Sequence, residues 1–229
     1  MTMMMKTALL ATLFAATLPT LAADLPAHAH IVYEARLGGI PVGQADQQWR
    51  IEQGRYTLTT EVVPLFGPHI RYVSHGEVKG SGLMPLDYAE FRGNDTAPKH
   101  IARFDWQHGE VQFGDPNSLT SGRLEDGAQD LNVLPFQLAW LGDKAAADFQ
   151  IATGRKLRED HFGPADPVRM NIMGKGQDTH IWRAAGNDER TEVWLAPGLA
   201  NLPVKIIRSD DNRELQLIAR TVEFEPDTP

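Results

Sequence analysis

Apolar and polar residues alternate along most of the chain after residue 30. Tyr56, Leu58 and Thr60 fall on one face of such a run, and Arg55 and Glu61 fall on the other. This alternation is typical of a half-buried β-strand. Similar runs occupy residues 30–37, 42–52, 69–79, 86–92, 100–106, 167–173, 179–184, 191–195, 204–208 and 214–224.

Turn-forming residues separate these runs, among them Gly38-Gly39 and Gln53-Gly54. Short strands at intervals of about 8 to 12 residues, with turns between them, predict consecutive hairpins. We therefore predict an all-β, mainly antiparallel fold: a curled meander sheet that forms a half-open barrel or a sandwich. Residues 202–207 and 215–224 are apolar on both strand faces, which predicts a covering helix or a cavity against one face.

A single covering helix is predicted near residues 128–141. Its leucines recur at helical spacing, at Leu131, Leu134, Leu138 and Leu141, and Gly142 ends the segment. Pro135 lies inside it, so we expect a kink or two short pieces. Residues 114–127 and 154–167 are predicted to be long loops.

The first 23 residues have the pattern of a secretory signal peptide. Lys6 supplies a positive charge, residues 7–18 are apolar, and small residues precede a cleavage site after Ala22 or Ala23. The apolar run is shorter than the roughly 20 residues that span a bilayer. We expect a periplasmic protein with one antiparallel β domain over residues 24–229 and no transmembrane segment in the mature chain.

Composition excludes several classes of function. The chain has 0 cysteines, which rules out disulfides, thiol catalysis and lipid attachment through cysteine. Its net charge of -8 argues against a nucleic-acid partner and against electrostatic binding to anionic lipid. Stability must therefore come from buried apolar area.

The sequence contains no ordered catalytic motif. Gly-x-Ser-x-Gly, His-Glu-x-x-His, a phosphate loop and an EF-hand loop are all missing. Strand alternation directs His28 and His30 to one face, but two imidazoles without a further ligand seldom make a strong metal site. We therefore expect no metal and no cofactor.

Four polar or aromatic residues are the candidate ligand site: Asp105, Trp106, Gln129 and Asp130. The two carboxylates lie beside large apolar neighbours, and a mostly apolar pocket with a few polar groups is typical of ligand sites. We predict that such a site lies between the sheet and residues 129–141. The alternative is that Asp126 or Asp130 caps the helix that starts near Leu131.

Residues 64–68 place Leu65 and Phe66 between two prolines at the tip of a predicted hairpin. We interpret this apolar tip as a packed corner. A lid and a partner contact are the alternatives.

A set of short motifs follows one another in a characteristic order. They are Val42-Gly43, Ser74-x-Gly76 with Gly82-Leu83-x-Pro85, Phe104-Asp105-Trp106, Gln129-Asp130-Leu131, Trp194-Leu195-Ala196-Pro197 and Leu202-Pro203-Val204-Lys205-Ile206. In this order they resemble DUF3108, a family of exported bacterial proteins of unknown function, over residues 31–224. The resemblance implies an envelope location and an antiparallel β fold. It implies no activity and no catalytic residue, and Asn132 stands where a serine is frequent.

These observations favour a non-enzymatic binding protein of the cell envelope for an apolar or amphipathic ligand, such as a lipid, a glycan or another amphipathic small molecule. A packed interaction or scaffolding module with an envelope protein partner is the second hypothesis. A hydrolase that uses Asp105 or Asp130 as acid or base is the third.

Overall fold

The computed structural model describes residues 25–142, 146–185, 189–210 and 213–225. The predicted signal peptide, residues 1–23, lies outside them. The elements are β1 (His28–Leu37), β2 (Ile40–Glu52), β3 (Arg55–Pro64), β4 (Ile70–Lys79), β5 (Gly82–Arg92), β6 (His100–Asp105), β7 (Glu110–Asp115), β8 (Ser118–Arg123), β9 (Gln129–Asp130), α1 (Leu134–Leu141), β10 (Ala147–Ala152), β11 (Leu157–Ile172), β12 (Lys175–Ala185), β13 (Glu189–Ala196), a 3-10 turn (Pro197–Leu199), β14 (Leu202–Asp210) and β15 (Glu214–Glu225).

All strands belong to one 15-stranded sheet in the order β8-β7-β6-β5-β4-β3-β2-β1-β15-β14-β13-β12-β11-β10-β9. Neighbouring strands are antiparallel except β9 and β10, which are parallel. The predicted all-β antiparallel meander is therefore confirmed. Its two halves meet at the centre of the sheet, where β1 pairs with β15.

The sheet curls around α1. The helix contacts β5 in one half of the sheet and β14 in the other. Phe136 stacks on Trp49 of β2, with ring centroids 4.6 Å apart, and Leu134 and Leu138 are almost fully buried. The side-chain amide of Gln137 accepts a 2.7 Å hydrogen bond from the backbone N–H of Leu83. Strand alternation supplies the inward apolar face, which α1 covers from inside the curl.

The helix is shorter than predicted. It covers Leu134–Leu141, whereas residues 129–130 form β9 and residues 131–133 form a turn. Pro135 lies in the first turn of the helix, where a backbone N–H would have no acceptor within the helix. The lack of an N–H therefore costs no hydrogen bond, and Pro135 helps to start the helix instead of kinking it. The predicted end at Gly142 is confirmed.

Both segments predicted to be long loops contain strand. Residues 118–123 form the edge strand β8, and β11 begins at Leu157. β8 carries a single apolar side chain larger than alanine, Leu119, and its mostly exposed position at the sheet edge permits this polar composition. The first half of β11 carries charged residues and Gly163, and its pairing with β12 is irregular between Ala165 and Val168.

Side chains hold the two ends of the sheet together. The Gln150 amide on β10 donates to the carbonyl oxygen of Arg123 at the end of β8 over 3.0 Å. The same amide accepts from the backbone N–H of Glu125 over 3.2 Å. The curled sheet is therefore barrel-like, and the Gln150 side chain bridges its two ends where no strand ladder joins them among the described residues.

Candidate functional site

A cavity of about 160 Å³ lies between the curled sheet and the segment that leads into α1. Its apolar lining comes from Ala35, Val62, Ile70, Leu131, Pro135, Ile206, Leu215 and Leu217. Its polar lining comes from Gln47, Thr60, Tyr72, Tyr88, Asn132 and Arg208. The apolar share dominates, as in most small-molecule sites.

Strand alternation builds this cavity from both halves of the sheet. Val62 and Ile70 are register partners on β3 and β4, and they lie toward one end of these strands. On the other half, Ile206 and Arg208 are separated by one residue on β14, so both side chains point to the same face. The curl of the sheet brings the two groups to opposite walls of one space.

The inner polar groups satisfy one another. The Gln47 amide donates to the Thr60 hydroxyl oxygen over 2.9 Å. That hydroxyl donates to Oδ1 of Asn132 over 2.7 Å. The Asn132 side chain also donates to the Ser74 hydroxyl oxygen over 3.1 Å. This chain of hydrogen bonds fastens the turn before α1 to the sheet, so these residues shape the cavity wall.

Arg208 is the cation of the cavity lining. Its Nη2 donates to the carbonyl oxygen of Leu131 over 3.1 Å, whereas its Nε has no hydrogen-bond partner among the described residues. Desolvation, and then the nearby charge of Arg158, lower the pKa of Arg208 below its usual value. A guanidinium nevertheless stays protonated in proteins. No carboxylate among the described side chains forms an ion pair with it.

Tyr88 supplies a second polar group without a partner. Only 1% of its surface is exposed, and its hydroxyl forms no hydrogen bond with any residue in the described part of the chain. Burial raises the pKa of this phenol. The Tyr88 ring stacks with that of Tyr72 at a centroid distance of 6.3 Å, and both rings line the cavity.

Asp130 lies beneath this site and is fully buried. Its Oδ1 accepts from the backbone N–H groups of Asn132 and Val133, each over 2.9 Å, and from the Ser74 hydroxyl over 2.8 Å. Burial raises its pKa to about 6 against the opposing effect of these hydrogen bonds. The carboxylate thus caps the turn that precedes α1.

A family model described as "Protein of unknown function (DUF3108)" matches residues 32–215 of the chain. The chain belongs to the DUF3108 family. The suspected resemblance is thereby confirmed. No curated protein matches this DUF3108 chain.

A solved structure with a similar fold is the β-barrel-like protein of the domain of unknown function DUF1849 from Brucella abortus. The two share 9% sequence identity at a TM-score of 0.55, and the alignment covers 88% of this chain and 99% of that one. At this identity the likeness concerns the fold alone. It agrees with the barrel-like curl of the DUF3108 sheet.

The structure separates the predicted site residues of this DUF3108 protein into two places. Asp105 and Trp106 line an open surface groove beside Met84 and Glu77. Asp105 accepts from the backbone N–H of His108 and pairs with its ring, and these contacts lower the pKa of Asp105. The Trp106 indole donates to the carbonyl oxygen of Pro85 over 2.6 Å.

Gln129 and Asp130 are instead buried under the turn before α1. The Gln129 amide donates to the carbonyl oxygen of Leu83 over 2.9 Å. None of the four predicted residues lines the 160 Å³ cavity, although Leu131 and Asn132 next to them do. Asp105 and Asp130 do not share a cleft, so they do not form the carboxylate pair used by most glycoside hydrolases.

Sequence reasoning missed Arg208, Tyr72 and Tyr88. A signal for Arg208 was present: alternation from Val204 and Ile206 puts this arginine on the inward face of β14. The tyrosines carried no comparable signal, because an inward aromatic residue is most often part of a packed core.

Exposed apolar side chains surround the end of the sheet where the cavity lies. We call this set the apolar rim: Leu37, Ile40, Val63, Leu65, Phe66 and Leu215. Phe66 is 92% exposed and Leu65 is 66% exposed. The prediction of a packed corner at residues 64–68 is therefore wrong, because the tip extends past the last paired residues of β3 and β4.

The described residues contain no cluster of His, Asp and Glu suited to a metal ion. His30 instead forms a 2.7 Å hydrogen bond with Asp46. Within the same described ranges, no helix has the length and apolar character needed to cross a membrane.

Proposed function

We propose that this protein is an exported binding protein of the cell envelope for an amphipathic ligand. The cavity between the curled sheet and the turn before α1 carries this proposal. It is mostly apolar, and its few polar groups include the Nε–H of Arg208 and the buried hydroxyl of Tyr88, neither of which has a hydrogen-bond partner among the described residues. A cavity of this composition favours a ligand-binding protein over a module with a fully packed interior.

The volume limits how much of a ligand enters. An apolar cavity of about 150 Å³ holds one benzene molecule. At about 160 Å³, this cavity accepts a ring or a short stretch of alkyl chain. A larger ligand must therefore keep part of its body outside.

The apolar rim provides a surface for that outer part. Leu215 belongs both to the rim and to the cavity lining. Leu215 also pairs in register with Leu37, beside the hairpin that carries Ile40. An apolar path thus leads from the cavity to the tip of the hairpin between β1 and β2, and exposed apolar patches of this kind mark binding sites.

The envelope location rests on residues 1–23, whose charge and apolar pattern is that of a signal peptide. N-terminal sequencing of the protein from a periplasmic fraction should begin at Ala23 or Asp24. Recovery of the chain in the cytoplasm with Met1 intact would contradict export.

Calorimetric titration with octanol tests binding to the cavity. The purified protein should bind octanol saturably at one site. Leu217→Trp should abolish this binding because the larger ring fills the cavity. Val168→Trp is the matched control, since Val168 is 41% exposed and does not line the cavity. Unchanged octanol binding by a folded Leu217→Trp variant would refute the proposal.

A second candidate function is an interaction module for another envelope protein. The exposure of Leu65 and Phe66 favours it, because such a tip is suited to insertion into a partner. Under this hypothesis Phe66→Ser would prevent co-purification of one specific envelope protein, while Leu217→Trp would leave that complex intact.

A further inference from the structure

We infer that the polar group of the ligand is an anion, a carboxylate or a phosphate, and that Arg208 and Tyr88 bind it. This inference rests on the proposed binding function and names the chemical class of ligand for the same cavity. It follows from a cavity arginine that forms no ion pair with a described side chain and from two hydrogen-bond donors that lack acceptors among the described residues.

Arg208 forms no direct ion pair with a described side chain, unlike neighbouring arginines; only the more distant negative charges of Glu189 and Asp160 act on it. Arg158 pairs with Asp160 over 3.0 Å and also with Glu189. Arg92 pairs with Glu90 over 2.6 Å. Within the described side chains Arg208 forms no such pair, although it is strongly desolvated. A desolvated charge is costly unless an opposite charge compensates it, and an anionic ligand would do so.

The available donors match an anion. The Arg208 Nε–H is buried and has no acceptor in the described chain, and the same is true of the Tyr88 hydroxyl. Burial raises the pKa of Tyr88, so the phenol keeps its proton and acts as a donor. Guanidinium donors form strong, directional hydrogen bonds with carboxylate and phosphate oxygens.

Nearby acidic groups do not cancel this preference. Glu90 lies on the same strand face as Tyr88, but His100 at 3.6 Å and Arg155 at 3.3 Å accompany Arg92 around it. Its charge is therefore already compensated. Glu189 also acts on Arg208 electrostatically, but it pairs with Arg158, whose positive charge acts on Arg208 more strongly.

The fold also gives an orientation. Arg208 pairs in register with Leu215, a residue of the apolar rim, so it lies toward the open end. Ile206 and its partner Leu217 follow further along the strands. An anion bound at Arg208 would sit near the mouth, with apolar wall on the inner side and the rim on the outer side.

The test compares three probes with one chain length: octanoate, octyl phosphate and octanol. Calorimetric titration of the purified protein should show that at least one anion binds at least about tenfold more tightly than octanol, the scale of a hydrogen bond to a charged group. Arg208→Met should abolish this advantage, so that neither anion binds the variant more tightly than octanol binds it. Arg169→Met is the matched control, because Arg169 is exposed and pairs with Asp178 at 2.9 Å.

Tyr88→Phe separates binding from a structural role. Its hydroxyl has no partner in the described chain, so its loss should not lower the melting temperature. It should nevertheless weaken anion binding severalfold. This variant also keeps the test valid if Arg208→Met fails to fold.

Each outcome has a definite meaning. If only octanoate binds in an Arg208-dependent way, the natural ligand is a carboxylate. If only octyl phosphate does so, the ligand is a phosphate. If both do so, the site binds anions of either class. Equal affinity for octanol and both anions would overturn this inference while leaving the proposed function intact. Absence of binding of all three probes would overturn the proposed function itself.

Discussion

The Ser74 hydroxyl donates a 2.8 Å hydrogen bond to Oδ1 of Asp130, which joins β4 to the turn before α1. Oδ1 accepts all the hydrogen bonds described for this carboxyl group, while Oδ2 is buried without a partner in the described chain. The carboxylate is therefore only half satisfied. This imbalance explains why burial outweighs three hydrogen bonds in setting its pKa.

Asp130→Asn should remove a pH dependence of stability. The folded-state pKa of about 6 exceeds the ordinary value of 3.8. The folded state therefore binds more protons than the unfolded state between about pH 4 and 6. The free energy of unfolding of the native protein should fall by about 2 kcal/mol as pH rises through this window.

Urea titrations of the native protein and of Asp130→Asn, at several pH values from 4 to 7, measure the difference. Other carboxyl groups contribute equally to both proteins and cancel. Asp105→Asn is the control, because Asp105 is exposed and its pKa is lowered. Parallel pH profiles for the native protein and Asp130→Asn would show that Asp130 is ionised throughout.

Leu138→Ala should destabilise the protein by about 2 to 5 kcal/mol, because Leu138 is 0% exposed in the core against which α1 packs. Leu65→Ala is the matched control, with 66% exposure and an expected change below about 0.5 kcal/mol. Denaturant midpoints of both variants check the prediction. Similar small changes in both would mean that α1 is not packed inside the curl.

Tyr33→Phe should cost about 1 to 3 kcal/mol, because its hydroxyl donates to the carbonyl oxygen of Pro203 over 2.7 Å and lies 3.0 Å from Oε1 of Gln47. Tyr56→Phe should be neutral or stabilising, since the buried Tyr56 hydroxyl has no partner within the described chain. Thermal melts distinguish the two variants. A larger loss for Tyr56→Phe would reverse this assignment.

Gly76→Ala should be strongly destabilising. A Cβ atom there would lie 2.3 Å from the carbonyl oxygen of Met84 and 2.5 Å from the ring of Tyr56. Displacement of backbone and a core ring should cost about 1 to 3 kcal/mol or more. Gly163→Ala is the control on another strand, with nothing within 4 Å of the added atom. Equal stability of the two variants would contradict the close approach at Gly76.

The sequence predicts the strands best where one face is buried. On β3, Tyr56, Leu58 and Thr60 are buried, as the alternation indicates. On β8 the same logic fails, because an edge strand needs no apolar face to complete its pairing with β7. Backbone hydrogen bonds to β7 then define the strand, and its amino-acid composition gives little indication that it is a strand.

The site was less predictable than the fold. The cavity does lie against the segment that includes Leu131 and Pro135, near the predicted location. The involvement of Asp105, Trp106, Gln129 and Asp130 in ligand binding stays a prediction. Arg208 and Tyr88 become neighbours only through the curl, since one belongs to β14 and the other to β5. The alternation within one strand predicts which face a side chain occupies, but it does not predict how the whole sheet curves or which distant strands come to face each other.

The pairing of β1 with β15 places the two described ends of the chain side by side, with His28 opposite Glu225. The two edge strands of the sheet are β8 and β9, which follow each other in the sequence. If a linker joined 225 to 28 and the chain were opened between 123 and 129, all 15 strands would follow one another in their spatial order. In the natural order of the chain, β15 is synthesised last, and it fills the central position of the sheet by pairing with β1. Until then, β1 keeps an unpaired edge that is open to association with other chains. A permuted chain would close its own middle before reaching its edge, and its folding should be correspondingly less prone to aggregation.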